Sequence, residues 1–416
     1  MTPIVRRALL RGAAAFLVTF VVGSGVVFAV ESIGRDGGPT DGASPPPTTS
    51  PDAEPDAVTP EAALVWVPGG FPDGFAEELT TIRPIRRAAV ATAGVAWLTA
   101  STGADGDVVD DPAAPYMVPL DTTGVDVGLF SSFVPEGAFR DLVRDLGPSV
   151  AILSRSAARL RGLDEGATLT LDPGIELVVI GTLPDVLVGG HELLVTRPTA
   201  ERLGAGLPRY ALLRLRAAPV REERLRELLE GLLDPLVREP LVELRMPGTT
   251  ELLRANDRAL PPIALKRRFG EFTAFPDAGD DLDIDPAWVE EHVVAREVPR
   301  LGLVECHERL FGPLRKAMKA LTLEASLGDV GPCFDGSWRP DLEQGTLPAS
   351  LWGASIHLNT TLNSPGTPPL IDARIVETMR AFGFRWGGDD AYPDGGLFEF
   401  LGHEATEPPA SPTDGA

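Results

Sequence analysis

The sequence predicts an α+β protein: a single N-terminal transmembrane helix, a disordered linker, and two mixed α+β domains in series. Three observations carry this. An uncharged apolar run follows basic residues at the start, and a Pro-, Gly-, Ser- and Thr-rich stretch follows the run. Beyond it, short alternating apolar segments are interleaved with leucines at helical spacing. At 416 residues the chain has length for two domains with a core each.

The first element is "MTPIVRRALLR", with Arg6, Arg7 and Arg11, followed by an uncharged run from Gly12 to Val30. At 1.5 Å per residue that run is roughly 28 Å long, close to the thickness of a bilayer's hydrocarbon core. Basic residues before it, and Glu31 and Asp36 after it, predict a single-pass protein of the cell membrane. Its N-terminus is expected in the cytoplasm and its bulk outside. A cleaved signal peptide, with Val27 and Ala29 at the cleavage site, is the rival reading, and it sends the same residues across the membrane. Residues 32–62 have almost nothing to bury and read as a disordered linker, and residues 404–416 as a similar tail.

The net charge of −23 opposes nucleic acid or anionic phospholipid as a main partner. Only two cysteines occur, Cys306 and Cys333. Outside the cytoplasm they can pair, closing a loop of about 28 residues for about 3.5 kcal/mol, or stay as buried thiols.

Residues 63–255 read as a mixed α+β domain. "SVAILS" is a short strand, followed by a helix that Ser156 caps, with Ala157 and Leu160 facing inward and Gly162 as its stop. "TLTLD", "IELVVIG", "HELLVTR" and "YALLRLRA" read as strands, and "REERLRELLEGLLDPL" as an amphipathic helix. Within it the order "ARLRGLDEGATLTL…IELVVIGTLPD…HELLVTRPTAERLG" resembles part of the extracytoplasmic domain of MacB-type and FtsX-type permeases.

Residues 256–403 form the second domain. Asp285 stands as N-cap with Pro286 at the first helical position. Leu310, Leu314, Met318 and Leu321 mark one helix, expected to run to Gly328, and Ile375, Met379 and Phe382 mark another, stopped by Gly383. The acidic run Asp277–Asp285 lacks EF-hand spacing and reads as a solvated loop.

The stretches "FGEFTAFP", "VPRLGLVECHERLFGPL", "CFDGSWRP", "LWGASIHLN" and "FGFRWGGDDAYPDGGLFEF" resemble the zinc D-alanyl-D-alanine carboxypeptidase and dipeptidase family of VanY, VanX and several phage endolysins. That resemblance, over residues 262–400, implies a D-Ala-D-Ala carboxypeptidase-like fold. It also implies three zinc ligands, a catalytic carboxylate and a substrate-binding arginine. Zinc hydrolysis needs such a set, because the metal must keep one open position for the water it acidifies.

With Trp352 and Gly353 as the frame, the first ligand position falls on Ser350 and the second on His357, seven residues on. The third falls on Leu397, the carboxylate on Asp394 and the arginine on Arg339. A hydroxyl and an aliphatic chain hold zinc poorly. The expectation is therefore no metal or other cofactor, and a pseudopeptidase that binds or scaffolds cell-wall peptide, with Arg339 gripping the peptide carboxylate. One alternative is an active zinc peptidase that cleaves peptidoglycan stem peptides through a rearranged site. Another is an accessory subunit of a transporter or cell-division complex. The expected partners are stem peptides or envelope proteins. Among the other histidines, His307 reads as packed or hydrogen-bonded, and His403 as a surface residue. A Ser350–His357–Asp394 hydrolase triad is disfavoured, because no nucleophile turn surrounds Ser350.

Overall fold

The structure is a computed structural model. It describes residues 62–402 apart from 217–219, 234–240, 250–251, 257, 277–281, 322–325 and 339–344. All described residues fall within one compact unit, residues 56–416.

Ten strands share one mixed sheet: β1 (Ala63–Trp66), β2 (Ile85–Thr102), β3 (Val108–Asp110), β4 (Val118–Val125), β5 (Val150–Ser154), β6 (Thr168–Leu171), β7 (Ile175–Leu183), β8 (Leu193–Thr196), β9 (Pro208–Leu215) and β10 (Glu243–Arg245). The strand β2 is 18 residues long, and its two halves do different jobs. Its first half pairs with β9, and Ala91–Leu98 pair with β4. Its end pairs with β6. Because β4 continues through β8, β5 and β7 to β6, these strands close into a ring. Leu98, Leu120, Leu153, Leu169, Leu177, Val179, Leu193 and Val195 belong to one buried cluster of this ring. The strands β9, β1 and β10 continue the sheet outward.

The helices of this half are α1 (Phe75–Glu78), α2 (Val127–Phe130), α3 (Ala138–Arg144), α4 (Arg155–Arg161), α5 (Arg197–Arg202) and α6 (Glu222–Glu230). In α6, Leu225 and Leu229 are fully buried at the expected spacing. The α5 backbone lies against β4 only because position 124 is glycine: a Cβ there would sit 2.3 Å from that of Ala200. The helix α4 departs from expectation. Ser154 caps it, accepting from the Ala157 N–H, whereas the Ser156 hydroxyl bonds to Asp185. Leu160 faces solvent and Arg161 is buried, because carboxylates wait for Arg161 inside.

The second half has α7 (Pro262–Phe269), α8 (Pro286–His292), α9 (Phe311–Ala320) and α10 (Ala373–Ala381). They pack with three small antiparallel sheets: β11 (Ala274–Pro276) with β12 (Leu282–Ile284), β13 (Val293–Val298) with β14 (Gly302–His307), and β15 (Ser355–His357) with β16 (Phe384–Trp386) and β17 (Leu397–Phe400). Asp285 caps α8 with Pro286 at its first turn. The helix α9 ends at Ala320, short of Gly328, and Gly383 follows α10 at φ 85°. Of the acidic run, Leu282–Ile284 form β12 and 277–281 lie outside the described residues.

The two halves share more than a surface. In α7, Ile263 belongs to the core of the ring while Leu265 and Phe269 belong to the second core, which Val95 of β2 also enters. The fold-class expectation is corrected accordingly. The molecule is a mixed α+β protein built around one large sheet, and among the described residues no helix is long and apolar enough to cross a membrane. The expected transmembrane helix, the linker up to residue 61 and the tail lie outside the described residues.

Candidate functional site

The frame around Trp352 is a tight, buried turn. Residues Ala349–Trp352 make one 3-10 turn, which Gly353 ends in the left-handed region at φ 62°. Trp352 is fully buried, and its indole N–H donates to the Gly270 carbonyl at 2.9 Å. No side chain fits at Gly353, since a Cβ there would lie 2.7 Å from the His307 nitrogen. His307 itself bonds the Phe269 carbonyl through Nε2 and caps the following turn through Nδ1. Burial, first of all, lowers its pKa.

His357 ends β15 and faces Leu397 directly across the β15–β17 pair. Its Nε2 lies 3.3 Å from Asp394 Oδ2. The other carboxylate oxygen, Oδ1, accepts the N–H groups of Gly396 and Leu397, both at 3.1 Å. Asp394 therefore holds the turn that leads into β17 and steadies the imidazole. The Ser350 carbonyl accepts from the Gly353 N–H within its own turn and from the Asp335 N–H of an upstream segment, and no hydrogen bond among the described residues joins Ser350 to His357 or Asp394. The structure brings His357, Asp394 and Leu397 together. Among the described residues no group of three His, Cys, Asp or Glu side chains is placed to hold a metal ion. Arg339 and His403 lie outside the described residues. Cys306 and Cys333 are joined by a disulfide that ties β14 to the segment before Phe334.

Sequence reasoning missed the buried charges at the seam between the halves. Glu192 is fully buried and meets Lys266 at 2.7 Å and Arg161 at 3.2 Å. Both cations also contact Glu271. Beside them, Asp121 bonds His191 at 3.0 Å and Arg254 at 2.9 Å, and Arg254 reaches on to the Thr346 hydroxyl at 2.8 Å. Burial alone would raise the Asp121 carboxyl, but His191 and Arg254 outweigh it and hold it at about 2. Burial likewise opposes Glu271, and Lys266 with Arg161 bring it to about 2. Burial, the largest influence, lowers the His191 pKa, against the opposing pull of Asp121. The signal available in the sequence was "GGHELLV", a His-Glu pair opening an otherwise apolar strand.

A cleft of about 410 Å³ opens at the same seam. Its walls include Trp97 of β2, Trp338 of the second half, Arg202, Asp172, Leu203 and Leu207. The two indoles meet edge to face, 6.1 Å apart, and the Trp338 N–H is fixed on the Thr346 carbonyl at 2.9 Å. Thr346 thus links the cleft wall to the buried network. A second hollow, of about 550 Å³, lies between the β13–β14 hairpin and α9 and has no aromatic lining.

No family model matches the chain, and no curated protein matches it. Solved structures similar to part of it include the periplasmic region of MacB from Actinobacillus actinomycetemcomitans, at 14% identity and TM-score 0.31, covering 45% of this chain and 90% of that one. A domain of a putative permease from Porphyromonas gingivalis gives 20% identity, TM-score 0.28 and coverage of 45% and 89%. The extracellular domain of the noncanonic ABC-type transporter YknZ from Gram-positive bacteria gives 12%, 0.29, and coverage of 44% and 98%. At these TM-scores the likeness carries no argument. The second of these is described as part of a putative permease and the third as part of a transporter. The carboxypeptidase resemblance of residues 262–400 finds no support among them.

Proposed function

We propose that this chain is a non-hydrolytic binding protein of the cell envelope, acting outside the cytoplasm as an accessory subunit of a transporter or cell-division complex. The observation that supports this reading is the engagement of Asp394. One of its oxygens caps the turn into β17 and the other meets His357, while Leu397 and Ser350 stand at the remaining positions of the frame. A general base for peptide hydrolysis needs a free carboxylate beside an activated water, and this one is occupied by its own fold. The halves are also joined by ion pairs in which Arg161, Lys266 and Glu192 are buried and Glu271 is half-buried, as suits a rigid scaffold that presents one surface.

The test is hydrolysis by the purified full chain. A stem pentapeptide ending in D-Ala-D-Ala is supplied with zinc, and free D-Ala is measured beside the metal content of the protein. No release is expected and no stoichiometric zinc. Steady D-Ala release that disappears in Asp394→Asn would restore the active-peptidase alternative. Stem peptide that binds without turnover would add the cell-wall-peptide role.

A further inference from the structure

We infer that the seam cleft is a carbohydrate site, stacking the ring of a polyhydroxylated, uncharged sugar against the indole wall that Trp97 and Trp338 form together. The inference rests on the binding reading above and names the ligand class. Four observations carry it.

First, the cleft of about 410 Å³ falls in the range of small-ligand sites, which favour domain seams and combine apolar walls with a few polar groups. Second, two half-buried indoles from different halves of the chain meet there at 76°. An indole offers a broad apolar face of negative potential, which fits the C–H face of a sugar ring. Third, Arg202 and Asp172 line the same cleft and neither makes an ion pair among the described residues. An exposed donor and an exposed acceptor on the walls of one cleft suit hydroxyl groups, each of which both donates and accepts. The buried Arg209 at the back of the cleft bonds the Gly69 carbonyl at 3.4 Å.

Fourth, the backbone disfavours the obvious rival, an extended peptide added as a strand. On this edge of β2 the Ala93 N–H donates to the Leu207 carbonyl at 3.1 Å, and the Trp97 carbonyl accepts from the Asp172 N–H at 2.8 Å. Too little edge is left between these bonds for the row of main-chain pairs that strand addition requires.

The test uses the full chain and two probes, the β-1,4-linked trimer of N-acetylglucosamine and the stem pentapeptide, followed by calorimetry and tryptophan fluorescence. The expected result is saccharide binding with a change in indole emission. Trp97→Ala is expected to weaken it at least about tenfold and Arg202→Ala several-fold, with Trp97→Phe recovering most of the loss. Arg202 is exposed, so that variant reads the site even if Trp97→Ala fails to fold. Absence of saccharide binding by the wild type, or binding that neither Trp97→Ala nor Arg202→Ala weakens, overturns the inference. Pentapeptide binding that depends on Trp97 while the saccharide does not bind also overturns the ligand class. D-Ala release, by contrast, counts against the non-hydrolytic reading and not against the site.

Discussion

Two of the places that set a carboxylate beside a basic group, the seam and the frame of the second half, behave differently. At the seam, Asp121 and Glu192 are fully buried, and each meets two basic partners. At the frame of the second half, Asp394 and His357 form a single pair that solvent reaches, with the imidazole side chain 30% exposed. Removing a partner from a buried network strands a charge in a medium that cannot solvate it, whereas water screens an exposed pair. The residues that looked catalytic are therefore the less consequential ones for stability, and the network that holds the halves together was invisible as a motif.

The largest effect expected from breaking this contrast is at Lys266. Lys266→Ala leaves Glu192 with Arg161 alone, and a loss of about 3–5 kcal/mol is expected in urea unfolding. A loss below about 1 kcal/mol would mean that water enters the seam. Next is the disulfide, which acts on the second half only. Cys306→Ser with Cys333→Ser is expected to lower stability by about 2–4 kcal/mol, through the unfolded chain's regained freedom. Unfolding under reducing conditions checks this without mutation.

Acid sharpens the comparison further. Asp121 and Glu271 titrate at about 2 in the fold, below their unfolded values near 4. Their contribution is therefore complete above about pH 4.5 and is lost as pH falls through 4 towards 2. It amounts to about 2–3 kcal/mol for each group. Asp121→Asn is expected to flatten that part of a stability–pH curve, and an unchanged slope would remove Asp121 from the account. The smallest effect belongs to the exposed pair. His357→Ala is expected to cost under about 1 kcal/mol, and a larger loss in thermal unfolding would show that the imidazole holds β15 in place.

Local patterns made much of the fold readable. The strand "SVAILS" became β5, and Leu225 and Leu229 in α6, Asp285 and Pro286 in α8, and Ile375 and Met379 in α10 took the faces and ends their spacing implied. Misreadings arose where a distant partner overrode the local rule. Arg161 turned inward because Glu192 and Glu271 lie there, and Ser156 left its capping role to bond Asp185. The frame residues came from a resemblance alone; that Gly353 takes the left-handed conformation and ends the turn of Trp352 is visible only in the structure. That Asp394 serves its turn could not be read from composition, since a carboxylate looks the same whether it caps a loop or activates water.

What the sequence determined by itself is the alternation of short strands with amphipathic helices and the identity of the side chains at the frame. Those are properties of neighbours, set by side-chain periods of two and 3.6 residues. The tertiary structure alone decided that β2 would close a ring, that α7 would serve two cores, and that Asp121 would meet Arg254, 133 positions away. Each joins residues far apart in the chain, and their pairing depends on register and burial that no local pattern encodes.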